Sequence, residues 1–136
     1  MERFIGQFSI LVKDYDEALD FYINVLDFEL VEDTVLSPDK RWVVIKPSNT
    51  KGQGCNLLLA RASNPTQEMF IGNQTGGRVF LFLYTDNLKR DYDLLVNKGV
   101  KIVRNPSDES YGRVLVFSDL YGNLWDLIEP KTKRLD

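Results

Sequence analysis

Apolar and polar residues follow one another along the chain in two successive blocks of similar order. In the first block, residues 8–12 form an apolar run that is typical of a buried strand. Asp14 and Glu17 then make a capping-box arrangement, which predicts the start of a helix. The helix is supported by apolar side chains at helical spacing, namely Tyr15, Ala18, Leu19, Tyr22, Val25 and Leu26. Three further runs predict strands at residues 28–32, 41–46 and 56–60.

The second block repeats this order about 72 residues later. Residues 78–84 predict a strand, Asn87 is the expected N-cap of a second helix, and Gly99 is expected to end that helix. Three more strands are predicted at residues 100–104, 113–117 and 124–129, with a loop at 106–110 and a turn at 119–123. An internal repeat of strand, helix and three strands predicts an α+β fold built from two βαβββ modules.

The repeat also predicts the domain organisation. The first module covers about residues 1–61 and the second about residues 78–130, and together they form a single domain. The connector at residues 62–77 is polar, and long connectors are more often functional or interface-forming than idle. A ferredoxin-like α+β domain that dimerises through its sheet is the alternative fold, and the three strands after each helix disfavour it.

Composition narrows the function. Seventeen basic and twenty acidic residues give a net charge of −3, which argues against a nucleic-acid partner. No apolar run is long enough to span a membrane and no secretion signal is found, so we expect a cytoplasmic protein without a membrane partner. The chain contains no histidine and one cysteine, Cys55. Histidine-based catalysis and histidine or thiolate metal sites are therefore excluded.

Three segments carry a family resemblance. Residues 11–33 (LVKDYDEALDFYINVLDFELVED) and 85–103 (TDNLKRDYDLLVNKGVKIV) are similar to the strand–helix–strand segments of the glyoxalase/bleomycin-resistance/dioxygenase superfamily, also called the vicinal oxygen chelate superfamily. Residues 117–130 (FSDLYGNLWDLIEP) resemble its closing D-x-x-G-N turn and last strand. The resemblance implies two βαβββ modules whose mixed sheets form a cup.

In many members of that superfamily the cup holds a divalent metal on His and Glu side chains at four positions. The resemblance places Gln7, Leu58, Phe80 and Asp126 at these positions. Leu58 and Phe80 cannot bind a metal, and Gln7 with Asp126 would at best hold a hard cation weakly. We therefore expect no metal and no other cofactor.

Alternation along the strands predicts which side chains would line the cup. The set is Gln7, Ser9, Asn56, Leu58, Arg78, Phe80, Phe82, Leu124 and Asp126. A register slip of one residue would exchange the whole set. The mostly apolar lining with few polar groups is typical of a pocket for an organic ligand. Arg78 and Asp126 either bind a ligand or neutralise each other as a structural pair, and the second interpretation is favoured.

Three functions remain open. The first is a metal-independent, glyoxalase-like protein that binds a small molecule for sequestration, resistance or sensing. The second is a lyase- or isomerase-type enzyme, or another enzyme, in which Asp126 transfers a proton on a carbonyl-containing substrate. The third is a dimeric interaction module whose cup is filled by its own side chains. A homodimer is expected from the resemblance, because antibiotic-binding members are commonly dimers.

Overall fold

The structure is a computed structural model that describes residues 1–131. The chain forms two compact units, the first spanning Met1–Ile71 and the second beginning at Gly72. Each unit contains a four-stranded mixed sheet and follows the order strand, helix, three strands. The predicted α+β fold of two βαβββ modules is confirmed, and the division falls within the predicted connector. The prediction that both modules form one domain stays a prediction.

The first unit orders its strands β1-β4-β3-β2, with β1 parallel to β4 and the other neighbours antiparallel. Its elements are β1 (Gln7–Val12), α1 (Tyr15–Leu19) with a wider π-helical continuation (Asp20–Val25), β2 (Phe28–Ser37), β3 (Lys40–Pro47), β4 (Asn56–Arg61) and α2 (Pro65–Met69). Asp14 caps α1 as predicted, because its Oδ2 accepts the N–H of Glu17 at 2.8 Å.

The second unit orders its strands β5-β8-β7-β6, with β5 parallel to β8. Its elements are β5 (Val79–Tyr84), α3 (Leu88–Asn97), β6 (Ile102–Glu109), β7 (Gly112–Ser118) and β8 (Leu124–Pro130). Asn87 caps α3 by accepting the N–H of Arg90 at 3.0 Å. Gly99 follows the helix with φ of +77°, so both predicted helix limits are confirmed.

Two predictions about local structure were wrong. The segment 106–110 was predicted to be a loop, but β6 continues through Pro106 to Glu109. A register shift between Arg104 and Ser107 accommodates the proline, which is tolerated because β6 is an edge strand. The connector was read as a long loop but contains the short helix α2, capped by Asn64. None of the helices within residues 1–131 is long and apolar enough to cross a membrane.

The turn between β7 and β8 is fixed by a buried carboxylate. Asp119 is only 5% exposed. Its Oδ1 accepts the backbone N–H groups of Tyr121 and Asn123 at 3.1 and 2.9 Å. Its Oδ2 accepts the side-chain N–H groups of Asn123 and Trp125 at 2.9 and 3.1 Å. The D-x-x-G-N turn therefore organises the start of β8, the strand that carries Asp126.

Candidate functional site

One face of the second sheet carries a pocket of about 200 Å³. Strands β6, β7 and β8 form its walls. The register explains how, because Val116 on β7 lies opposite both Arg104 on β6 and Asp126 on β8. Residues that are directly opposite on neighbouring strands share a face of the sheet. The pocket lining includes Arg104, Ser107, Glu109, Val114, Val116 and Asp126.

Asp126 is the least exposed of the ionisable side chains that line this pocket. Val114 and Val116 are buried, whereas Asp126 is half-buried. Burial raises the pKa of the Asp126 carboxyl above its ordinary value, and the positive charge of Arg104 partly opposes that rise. A carboxyl group in this setting can accept a hydrogen bond from a ligand or exchange a proton with it.

The favoured interpretation of Arg78 and Asp126 as a mutual pair is not supported by the geometry. Arg78 precedes β5 and is exposed, and its carbonyl oxygen accepts the hydroxyl of Thr75 at 2.6 Å. Within residues 1–131 no ion pair joins Arg78 to Asp126. The positive charge that acts on Asp126 comes from Arg104 instead.

Of the predicted lining residues, Asp126 alone is among those that line this pocket, and Phe82 and Leu124 lie on the same face of the sheet outside that lining. Phe82 on β5 is opposite Asp126, so the two side chains share the face. Leu124 lies two residues before Asp126 on β8, on the same side of the sheet. Phe80 sits at the register shift between Val79 and Leu81, where regular alternation is interrupted.

The predicted lining residues of the first unit lie on β1 and β4 of its own sheet. Gln7 is opposite Asn56, and Ser9 is opposite Leu58. These four residues therefore share one face, while the opposite face carries buried apolar side chains such as Ile10. The alternation predicted for this sheet is thus present, and no one-residue slip occurs.

The chemistry of these side chains does not fit a family-type metal site. Leu58 and Phe80 have no donor atom, and Gln7 offers only a neutral amide. Among residues 1–131 no three His, Cys, Asp or Glu side chains are grouped so that they could hold an ion. The residues present therefore provide no donor set for the metal that many members of the superfamily carry.

Sequence reasoning missed the β6 side of the pocket. Ser107 and Glu109 line it, but the segment 106–110 was assigned to a turn-rich loop. Arg104 lines it too; it was placed in the predicted strand 100–104 but not among the lining residues. Residues 107–109 are all polar, so no apolar–polar alternation marked this part of β6 in the sequence. Asp108 pairs across the ladder with Arg113 and forms an ion pair with it at 3.1 Å.

With the fold and pocket in place, the class of protein follows from comparison. The sequence model of the Glyoxalase/Bleomycin resistance protein/Dioxygenase superfamily matches residues 4–127. The chain therefore belongs to this superfamily, as the resemblance implied. It is also 54% identical to an uncharacterised protein of Shewanella frigidimarina (strain NCIMB 400), with 98% of each chain covered.

Solved structures agree with this family membership. The chain is similar to UcmS2, with a TM-score of 0.81, 25% identity, and coverage of 95% of this chain and 99% of that one. It is also similar to TnmS3, described as an antibiotic binding protein from Streptomyces sp. CB03234. For TnmS3 the TM-score is 0.75 and the identity is 30%, with 96% of this chain and 98% of that chain covered.

Proposed function

We propose that this protein is a metal-independent binder of small organic molecules, acting by sequestration, resistance or sensing. The observation that carries the proposal is the pocket on the second sheet, where the half-buried Asp126 stands beside the buried Val114 and Val116. A pocket that combines buried apolar side chains with several polar groups is a common arrangement in small-molecule sites. Similarity to the antibiotic-binding TnmS3 supports the same class of function.

An enzyme that uses Asp126 is the second candidate. Its support is the raised pKa of Asp126, since a carboxyl whose pKa moves towards neutrality is better suited to proton transfer. In such an enzyme the Asp126 carboxylate would take a proton from the carbon beside a substrate carbonyl and return it to another atom. Arg104, rather than Arg78, would provide the nearby positive charge.

The remaining parts of the proposal concern assembly and location. We expect a homodimer, as the family resemblance implies. We expect a cytoplasmic protein, and its single cysteine, Cys55, is consistent with a reducing compartment. A module whose sheet faces are filled by its own side chains is less well supported, because the pocket on the second sheet is open.

Thermal unfolding with a ligand panel tests the binding proposal. The panel contains bleomycin and other natural-product antibiotics, each at several concentrations. A ligand present at 100 times its Kd should stabilise the folded protein by about 2.7 kcal/mol. Ser107→Phe, which narrows the pocket from its rim, should abolish that stabilisation. Asp108→Phe, at the neighbouring position on the other face of β6, is the matched control and should retain it.

The Asp126→Asn variant separates the two candidates. A binder keeps at least part of its ligand-dependent stabilisation in this variant, because the pocket shape is unchanged. An enzyme loses turnover while it still binds substrate. Stabilisation that is equal in the Ser107→Phe and Asp108→Phe variants would place the ligand elsewhere and overturn the proposed site.

A further inference from the structure

The charged side chains around the pocket are not neutralised by one another. Arg104, Glu109 and Asp126 line the pocket, and within residues 1–131 none of them forms an ion pair. The neighbouring Asp108, on the other face of β6, is by contrast paired with Arg113. The pocket face therefore carries two carboxylates and one guanidinium that form no ion pair within residues 1–131, and the charge of Arg104 opposes the burial of Asp126 only in part.

The positions of these groups keep them apart. Arg104 and Asp126 lie on either side of Val116, two strand spacings apart, which is about 10 Å. Glu109 is at the far end of β6, opposite Gly112. Arg104 is exposed on the edge strand, where water screens its charge, whereas Asp126 is half-buried on an inner strand. Next to the buried Val116, the charge that water screens least is therefore the negative charge of Asp126.

An aromatic wall stands beside Asp126. Phe82 lies opposite Asp126 on β5 and is 57% exposed, and Tyr84 lies opposite Ile128 on the same face and is 50% exposed. Phe82 lies in the middle of β5, where a large apolar ring is normally packed, so its exposed ring leaves an aromatic surface on the strand next to the Asp126 carboxylate. Aromatic faces attract cations, and a ring beside a carboxylate suits a ligand with an apolar body and a positive end.

We infer that this pocket selects aromatic or apolar ligands that carry a cationic nitrogen, with Asp126 as the acceptor for that nitrogen and the exposed ring of Phe82, on the neighbouring strand outside the pocket lining, as a contact for the apolar body. The inference rests on the proposed binding function and names its ligand class. Burial penalises the Asp126 carboxylate unless a partner compensates it, and a ligand ammonium group restores the lost interaction. An anionic ligand would be attracted only by the screened charge of Arg104, and it would be repelled by the carboxylates of Asp126 and Glu109.

Two probes of equal ring size test the inference. 1-Naphthylmethylamine is cationic and 1-naphthoic acid is anionic at pH 7, and both are titrated into the full chain while amide shifts are followed by NMR. We expect the Kd of the amine to be at least about tenfold lower than the Kd of the naphthoate, because one charge-assisted hydrogen bond changes a binding constant by about this factor. The shift changes should concentrate at Val114, Val116 and Asp126. In Asp126→Asn the preference should fall to about twofold or less.

Two further variants sharpen the assignment. Arg104→Gln should increase the preference for the amine, because it removes the opposing positive charge. Asp93→Asn is the control, since Asp93 is an exposed carboxylate on α3 paired with Lys89, and it should leave the preference unchanged. Circular dichroism confirms that each variant is folded, and Asp126→Ser provides a second removal of the carboxylate.

Several results would overturn the inference. These are equal or tighter binding of the naphthoate, an unchanged preference in both Asp126 variants, and no binding of either probe at millimolar concentration. The binding proposal fails separately, through the ligand panel with Ser107→Phe and Asp108→Phe. If a panel ligand binds at the pocket but the protein does not prefer the amine to the naphthoate, the proposed binding function is supported and only the inferred ligand class is wrong.

Discussion

The two halves of the chain share an order of elements but use their carboxylates in different ways. In the first unit Arg41 on β3 holds Asp33 of β2 at 2.7 Å and Asp16 of α1 at 2.9 Å, and its guanidinium lies 5.1 Å from the centre of the Tyr15 ring. In the second unit Asp119 is buried in a turn and Asp126 stands in a pocket without an ion pair among the described residues. Both units carry ion pairs at their surfaces, but in the second unit one half-buried carboxylate, Asp126, faces a pocket without such a pair among residues 1–131.

The connections between the last two strands of each unit differ in the same way. In the first unit residues 48–55 form an exposed or half-buried loop in which Asn49 and Lys51 have positive φ. In the second unit residues 119–123 form a tight turn around the Asp119 carboxylate. A turn held by buried hydrogen bonds fixes the start of the strand that follows, and here that strand carries Asp126.

The largest difference is expected when each connection loses its side-chain hydrogen bonds. Asp119→Ala removes the acceptor of four hydrogen bonds, including those from the buried side chains of Asn123 and Trp125, and should lower the free energy of unfolding by about 3 kcal/mol or more. Ser48→Ala removes one bond, from its hydroxyl to the carbonyl of Asp27 at 2.7 Å, and should cost about 1 kcal/mol. Urea unfolding measures both, and equal costs would contradict the asymmetry of the two connections.

A matched pair of glycines tests the packing of the turn. Gly72 and Gly54 have φ of +74° and +80°, so alanine carries a similar conformational cost of about 1 kcal/mol at each. At Gly72 the added Cβ would lie 1.9 Å from the carbonyl oxygen of Tyr121, whereas nothing lies within 4 Å at Gly54. Gly72→Ala should therefore be about 2 kcal/mol more destabilising. Similar melting temperatures for the two variants would show that the contact with Tyr121 is unimportant.

The smallest effects on the free energy of unfolding are expected from Asp33→Asn and Asp126→Asn, and these two effects should have opposite signs. The hydrogen bond from Arg41 holds the pKa of Asp33 below its ordinary value of 3.8, so Asp33 stabilises the fold above pH 3.8 and this contribution is lost as pH falls through the lowered pKa. Asp33→Asn should thus cost up to about 1 kcal/mol at pH 7, and less in acid.

Asp126 should behave in the reverse sense. Burial raises its pKa, so between pH 3.8 and the raised value the folded state binds more protons and stability falls as pH rises. Asp126→Asn should therefore stabilise the protein at pH 7, and the gain should disappear below pH 3.8. Urea unfolding at intervals between pH 3 and pH 7 measures both variants. A loss of stability in Asp126→Asn at pH 7 would mean that the carboxylate has a compensating partner.

Most of the fold could be predicted from local patterns. Asp14 and Asn87 identify their helix starts because a short polar side chain accepts backbone N–H groups there, which requires no tertiary contact. The strands on either side of these helices follow from apolar runs. The pocket could be predicted only in part, because Asp126 follows from alternation on β8, whereas the positions of Arg104 and Glu109 on the pocket face depend on the register shifts in β6.

The sequence by itself determined two βαβββ modules and the lack of histidine ligands, because caps, periodicity and residue type act locally. The tertiary structure decided which charged side chains lie on the same face of the sheet. Strand register brings Arg104 across Val116 from Asp126 and leaves Arg78 outside β5, and neither placement can be read from spacing along the chain. The tertiary structure also decided that the Asp119 carboxylate is hydrogen-bonded within a turn while Asp126 faces a pocket. Burial and hydrogen-bond partners of this kind exist only once the strands are assembled.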